Sequence, residues 1–259
     1  MSRTPPYPTS HQLLEGRRVL VTASAGAGIG FATAKRCAEE GATVVLSDIH
    51  ERRLGEAADE LEELTGRKPL AVTCNVTSDE EVQNLFDTAI AALGALDVVV
   101  NNAGLGGTKS IAEMTDDEWH AVLDVSLNGT FRCTRAALRH MLPRNEGVII
   151  NLSSVLGWRA QAGQAHYAAA KAGVAALTRT AAVEAAPHGV RVNAVAPSLA
   201  MHAFLEKVMP KDTLDDLVEL EAFKRSAETW EVANVIVFLA SDYASYMTGE
   251  VVSVSSQHP

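Results

Sequence analysis

Basic charge is scarce in this chain of 259 residues: 22 Lys and Arg stand against 32 Asp and Glu, for a formal net charge of −10. Such a balance repels phosphate backbones and anionic headgroups, and argues against nucleic acid or a membrane surface as the main partner. Cysteine is scarcer still. Cys37, Cys74 and Cys133 are odd in number and widely spaced, so they argue against a disulfide framework and fit reduced thiols in a cytoplasmic protein. Apolar runs stay short of the roughly 18 residues that suggest a membrane span. The opening Met1-Ser-Arg-Thr-Pro-Pro-Tyr-Pro-Thr-Ser10 lacks the apolar segment of a secretory leader and reads as a flexible arm over residues 1–14. The His and Cys residues show no metal-ligand spacing, so no metal site is expected. With no repeat, low-complexity tract or linker, residues 15–259 read as a single domain.

A hydrophobic content of 47% and a charged content of 21% permit a substantial core. The apolar runs are β-branched and alternate with helical periodicity. Arg18–Thr22, Ala42–Ser47, Leu70–Cys74, Leu96–Val100, Val148–Leu152, Val190–Val195 and Val251–Val254 read as strands. Between them, Ile29–Glu40, Glu51–Leu64, a stretch opened by the capping-box pattern Ser78-Asp-Glu-Glu81, Thr115–Met141, Tyr167–Ala186 and Thr229–Ala240 read as helices. Unbroken apolar strands alternating with helices predict an α/β, doubly wound sheet of about seven parallel strands covered on both faces. Ligands of such sheets bind at the carboxyl ends of the strands, where strand order reverses.

The first such end carries Thr22-Ala-Ser-Ala-Gly-Ala-Gly-Ile-Gly30. Glycines here allow close backbone approach, and a helix N-terminus offers free N–H groups to a pyrophosphate. By itself a Gly-rich turn is weak evidence, because a purely structural tight turn looks the same. Asp48 ends the second strand at the distance where an acid accepts hydrogen bonds from an adenosine ribose, which strengthens the pair of features. A carboxylate there repels a 2′-phosphate and points to NAD rather than NADP. Arg52 and Arg53 could reach a phosphate, but read as solvated helix positions.

Tyr167 and Lys171 stand at i, i+4 in His166-Tyr-Ala-Ala-Ala-Lys-Ala-Gly, so they share one helix face, and Ser154 follows the fifth strand. A phenol titrates near pH 10, and lowering it by about three units takes roughly 4 kcal/mol. A neighbouring ammonium and a cationic nicotinamide are joint suppliers. Such a phenol suits proton removal from an alcohol while a hydride leaves its carbon. Tyr-x-x-x-Lys also arises by chance in many helices, so the surrounding motifs decide.

Together with Asn101-Asn-Ala-Gly104 after the fourth strand, these residues resemble the short-chain dehydrogenase/reductase family, over about residues 16–256. The resemblance implies a Rossmann-like domain, a nicotinamide cofactor and a homotetramer or dimer. It implies that Tyr167 is the acid/base, Lys171 its tuner and a ribose ligand, and Ser154 the holder of the substrate oxygen. Dinucleotide contacts are implied for Thr22, Ser24, Ala25, Gly28, Ile29, Asp48, Ile49, Asn75, Val76, Asn102, Ala103, Gly104, Pro197 and Ser198. Four positions depart from the pattern. The glycine loop is one residue longer, with Ala23 after the threonine. Ser126 replaces the family's catalytic Asn, and is expected to keep a water-borne proton relay. Ser198 replaces a Gly, and His202 stands where a Thr often meets the cofactor.

Narrower similarity, in Val44–Gly55, Val155–Gln161 and Gly249–Pro259, points to an actinobacterial subgroup that acts on hydrindane-type acyl-CoA in steroid ring C/D breakdown. The expected reaction is therefore NAD-dependent hydride transfer between a secondary alcohol or ketone, on a cyclic hydroxyacyl-CoA, and nicotinamide. The competing readings are a 3-oxoacyl thioester reductase using NADPH and a catalytically silent nucleotide-binding scaffold.

Residues 198–226 read as a substrate lid, with Met201, Phe204, Leu205, Val208, Met209 and Leu214 as pocket walls or as an amphipathic helix pair. Trp158 and Arg159 are better placed for recognition, and Arg159 could meet a carboxylate, a thioester carbonyl or a phosphate, or form a structural ion pair. Lys207, Lys211, Lys224 and Arg225 could attract coenzyme A phosphates, but fit ordinary solvated charges. His166 turns away from Tyr167 and is not expected to be catalytic.

Overall fold

The computed structural model describes residues 4–201, 205 and 211–256. Seven parallel strands form one sheet: β1 (Arg18–Thr22), β2 (Thr43–Asp48), β3 (Leu70–Thr73), β4 (Val98–Asn101), β5 (Gly147–Leu152), β6 (Val190–Pro197) and β7 (Val251–Val254). Their order is β3-β2-β1-β4-β5-β6-β7, so the chain winds outward from β1 in one direction and from β4 in the other. The crevice between β1 and β4 is the switch point at which an open α/β sheet takes its ligand.

The described helices are α1 (Ile29–Glu39), α2 (Glu51–Thr65), α3 (Asp79–Leu93), α4 (Asp116–Leu123), α5 (Gly129–Met141), α6 (Ala165–Ala185), α7 (Lys211–Leu220) and α8 (Thr229–Ala240). None of them is long and apolar enough to cross a membrane. Alternation along the strands fills both faces. Val19 and Val21 pack with Phe31 of α1, Leu54 of α2 and Ile236 of α8, whereas Leu20 packs with Phe86 of α3, Ala137 of α5 and Ala181 of α6. The three cysteines are free and buried.

Three expectations change. The predicted capping box at α3 is half formed: Ser78 Oγ accepts from Glu81 N at 3.2 Å, but Glu81 Oε2 accepts from Asn75 N at 2.8 Å and so ties down the β3–α3 turn. The single helix expected over 115–141 is interrupted by a π turn, Asp124–Asn128, which carries Ser126. The arm expected to be flexible is strapped to α1 and α8. Tyr7 Oη donates to Glu39 at 2.7 Å, its ring meets Trp230 edge-on at 5.4 Å, and Leu14 is fully buried. The backbone N–H groups of His11 and Leu13 donate to Glu40, itself paired with Arg36 inside the fold.

Candidate active site

The glycine loop is held from two sides, by the ends of β4 and β2, before it opens. Thr22 Oγ1 accepts from the N–H groups of Asn102 and Ala103 at 3.0 and 3.1 Å, tying the end of β1 to the end of β4. Asn102 Nδ2 donates back to the carbonyls of Thr22 and Ala23 at 3.2 and 3.0 Å. Ser24 is turned inward, where its Oγ accepts from Ser47 N at 3.0 Å. Ala25 N donates to Asp48 Oδ2 at 3.2 Å. Ala23 takes a left-handed φ of +49°, under Gly30, where an added Cβ would lie 2.1 Å from the Ala23 carbonyl oxygen. The loop therefore turns early, against α1, and takes a second left-handed turn at Gly26 (φ +84°).

An added Cβ at Gly26 or Gly28 would meet nothing within 4 Å, and Gly28 caps α1 without a side-chain bond, so its first N–H groups have no side-chain partner. An open concavity over an uncapped helix start suits a pyrophosphate. Asp48 is buried at 7% exposure, and Ile49 beside it is an apolar residue left 54% exposed. Asp48 Oδ1 also accepts from His50 N at 3.0 Å, which leaves further lone pairs for ribose hydroxyls. The residues present fit a dinucleotide. Their contributions differ from those expected, because the side chains of Thr22, Ser24 and Asn102 are bound within the protein and can offer mainly backbone. Asn75 Oδ1 accepts from Thr77 N and Oγ1, and Val76 is buried beneath Gly129. Arg52 pairs with Glu56 in solvent, but Arg53 Nη2 lies 3.9 Å from Asp48, so it is drawn towards that carboxylate rather than fully solvated. Pro197 closes β6, and Ser198 N donates to Val254 O at 3.1 Å. His202 lies outside the described residues.

Ser154, Tyr167 and Lys171 converge at the carboxyl end of β5. Ser154 is extended, and its Oγ accepts from Leu156 N at 3.2 Å, opening the 3₁₀ turn Val155–Gly157. That turn lies on α6 because position 157 is glycine: an added Cβ would stand 3.2 Å from Ala172 N. Lys171 Nζ donates to Leu152 O at 2.6 Å and stands 5.5 Å from the Tyr167 ring centroid. The loop after β4 crosses the same spot, with an added Cβ at Gly104 3.4 Å from Lys171 Nζ and one at Gly106 3.8 Å from the Tyr167 ring edge.

Within the protein itself, burial rather than the Lys171 ammonium governs the phenol. Burial pushes the Tyr167 phenol above its ordinary value, with the nearby Ser154 hydroxyl pulling the other way. Burial also draws the Lys171 ammonium down to about 8, so it is still mostly charged at neutral pH. Desolvation therefore outweighs the i, i+4 attraction.

Ser126 reaches the site as clamp for the β4 loop. Its fully buried hydroxyl accepts from Leu105 N at 2.9 Å and donates to Leu105 O at 3.0 Å. Its one proton is thus engaged by Leu105, rather than free for the relay expected from the sequence. The same loop is held at its far end by Gln164 Nε2, which donates to Thr108 Oγ1 at 3.1 Å, and by Lys109 N, which donates to Gly163 O at 2.9 Å. Sequence reasoning missed this double clamp; the glycines at 106 and 107 were its only signal. His166 is buried, its Nδ1 accepting from Tyr167 N at 2.9 Å.

On the lid, Leu214 is buried in the fold, and Arg225 forms a bidentate pair with Glu231 at 2.6 and 2.8 Å, so it is a structural ion pair. Lys224 donates to the Glu219 carbonyl, and Lys211 is exposed. Phe204, Lys207, Val208 and Met209 lie outside the described residues.

Comparison with known proteins shows the family. Residues 23–256 match the family model described as enoyl-(acyl carrier protein) reductase, adh_short_C2. The chain is 59% identical, over 100% of its length and 99% of the other's, to (5R,7aS)-5-hydroxy-7a-methyl-1-oxo-2,3,5,6,7,7a-hexahydro-1H-indene-carboxyl-CoA reductase of Mycobacterium tuberculosis. It is 42% identical to cis-4-hydroxycyclohexanecarboxylate dehydrogenase of Sinomonas cyclohexanicum, over 92% of this chain and 94% of that one. A crystal structure of a short-chain dehydrogenase from Mycobacterium smegmatis superposes with a TM-score of 0.88 at 54% identity, covering 99% of each chain. The seven-stranded fold and these matches make the chain a member of the short-chain dehydrogenase/reductase family, an oxidoreductase built for a nicotinamide cofactor.

Proposed function

We propose that the protein is an NAD(H)-dependent reductase of a ring ketone, reversible to the secondary alcohol, on a hydrindane-type acyl-CoA. The observation that carries this is the convergence of the Tyr167 phenol, the Ser154 hydroxyl and the Lys171 ammonium beside the loop after β4. The substrate class is supported by the names of the two relatives above, each with an oxygenated ring that also bears a carboxyl-derived group. Asp48 supports NAD, because a buried carboxylate at the end of β2 accepts from ribose hydroxyls and disfavours a phosphate there.

Asp48, Ile49 and the N-terminus of α1 would hold the adenosine and pyrophosphate, and Lys171 with the backbone of residues 102–104 the nicotinamide ribose. When bound, the nicotinamide supplies or takes the hydride. Ser154 donates to the substrate carbonyl oxygen and fixes its distance from Tyr167. Tyr167, kept protonated by burial, is ready as the acid that delivers a proton to the developing alkoxide. Lys171 stabilises the phenolate left behind. Ser126 keeps the Leu105 loop pressed against both.

The test is a paired assay. Wild-type protein should reduce a hydrindanone acyl-CoA with NADH well ahead of NADPH, while Tyr167→Phe loses about 10³-fold or more in kcat and still binds NADH. A Tyr167→Phe variant with near-normal turnover would remove the phenol from the mechanism. A preference for NADPH with linear 3-oxoacyl thioesters would favour the competing reductase reading, and tight NADH binding with no turnover the scaffold.

A further inference from the structure

Arg159 stands out among the described arginines. Arg17, Arg18, Arg36, Arg52, Arg53, Arg132, Arg135, Arg144, Arg191 and Arg225 each have a carboxylate or carbonyl partner. Arg67, Arg139 and Arg179 are exposed and satisfied by solvent. Arg159 alone is partly buried with no side-chain partner, and its Nη1 is shielded from solvent and unbonded. A buried guanidinium N–H without an acceptor costs roughly 1–3 kcal/mol, so a fold that retains one has left a donor unused.

Its place in the chain says what that donor serves. Arg159 N donates to Val155 O at 2.9 Å, so the residue closes the turn that Ser154 opens, on the segment leading to Tyr167. Gly157 seats this turn on α6 at Lys171 and Ala172, which fixes the segment relative to the reacting groups. Trp158 beside it is 52% exposed. An exposed apolar ring followed by a cation with no protein partner, on a backbone turn fixed next to Ser154, matches a ring that carries a second oxygenated substituent.

Resting on the ketone-reductase reading, we infer that Arg159 is a specificity-determining residue that donates to an oxygen of the carboxyl-derived group on the substrate ring. The two relatives fit this inference, since a ring hydroxyl and a carboxyl-derived group appear together in both names, once as a free acid and once as a thioester. The shared chemistry is a carbonyl or carboxylate oxygen at a set distance from the reacting carbon, for which a planar guanidinium is better suited than an ammonium.

The experiment uses the full chain with NADH and three ketones: 4-oxocyclohexanecarboxylate, its coenzyme A thioester, and cyclohexanone. For wild type, kcat/KM on at least one carboxyl-bearing ketone should exceed that on cyclohexanone. Arg159→Met should lower that preference ratio ten- to hundredfold, mainly through KM, as the loss of a charge-assisted hydrogen bond implies, and Arg159→Lys should restore part of it. A loss confined to the acid assigns a carboxylate; a loss on the thioester as well assigns the carbonyl. A ratio unchanged within threefold overturns the inference, whether overall activity falls or not, because a merely structural arginine would weaken all three ketones alike. If wild type reduces none of the three, the ketone-reductase reading fails and this assignment fails with it.

Discussion

The two ends of the sheet handle buried charge in opposite ways. At the amino ends of the strands Asp97 is 4% exposed and surrounded: Arg18 donates through Nε at 2.7 Å, Nη2 at 2.6 Å and its backbone N–H at 2.9 Å, and Arg144 Nη2 adds a fourth bond at 3.0 Å. Those bonds outweigh desolvation and hold the carboxyl down to about 2. At the carboxyl ends, burial wins. It draws Lys171 down to about 8, raises Tyr167 and Asp48, and leaves Arg159 Nη1 without an acceptor. Asp97 is a buried charge matched by its neighbours for stability, whereas the Tyr167–Lys171 cluster holds groups whose charge the fold has not matched, a pattern typical of functional sites.

Replacing Lys171 by Met tests the contrast most severely. Activity should fall by about 10²–10⁴-fold, because the phenolate loses its cation. Stability should move the other way. The amine titrates near 8 when folded and at 10.5 as its ordinary value. Between these values the unfolded chain holds a proton that the folded chain has released, so wild-type stability gains from this group as pH rises through that window. At pH 7 the buried ammonium costs on the order of 1–3 kcal/mol, and the Met variant should recover much of it. Urea unfolding at pH 7 and pH 10 should show an advantage for the variant that narrows at the higher pH. A variant less stable than wild type at pH 7 would mean that the Leu152 carbonyl bond already compensates the charge, and the contrast would weaken.

Asp97→Asn probes the other edge. Two arginines left facing a neutral amide should cost about 2–4 kcal/mol, while the kcat of the folded enzyme at room temperature stays within about twofold, because nothing at that edge touches the site. The wild-type carboxyl is held below its ordinary 3.8, so its contribution of about 2 kcal/mol is complete above that value and is lost as pH falls towards 2. Acid titration of stability should therefore be shallower in the variant. A matching loss of kcat would show that the two edges are coupled through the strands.

The division between the edges also sets what could be read from the chain. Strands announced themselves as continuous β-branched runs, since a parallel sheet is buried on both faces, and all seven lie within two residues of the predicted bounds. Tyr167 and Lys171 were legible because helical spacing alone puts them on one face. Their titration was not, because the sign depends on burial by the Gly104–Gly107 loop, which no local pattern encodes. The π turn at Asp124–Asn128 has no compositional signature that sets it apart from ordinary helix. The docked arm depends on Tyr7 meeting Glu39 and Trp230, contacts spanning 32 positions and most of the chain.

The smallest effect concerns the one strained backbone position in the cofactor loop that the sequence flagged. Ala23 holds a φ of +49° because Gly30 is packed against its carbonyl, and a glycine there would adopt that angle without its Cβ crowding the backbone. The left-handed conformation costs an alanine roughly 1 kcal/mol, and a glycine gives back about 0.4–1 kcal/mol through the greater freedom of the unfolded chain. The two terms nearly cancel, so Ala23→Gly should raise stability by no more than about 0.5 kcal/mol, or 1–2 °C in Tm. The loop should not slacken either, because Asn102 and Asp48 bind its backbone and Ser24 fixes the next residue to β2. NADH titrations should then give a Kd within threefold of wild type. A loss above about 1 kcal/mol would mean that the Ala23 methyl packs usefully, and a weaker Kd that the loop path depends on the alanine rather than on its hydrogen-bonded frame.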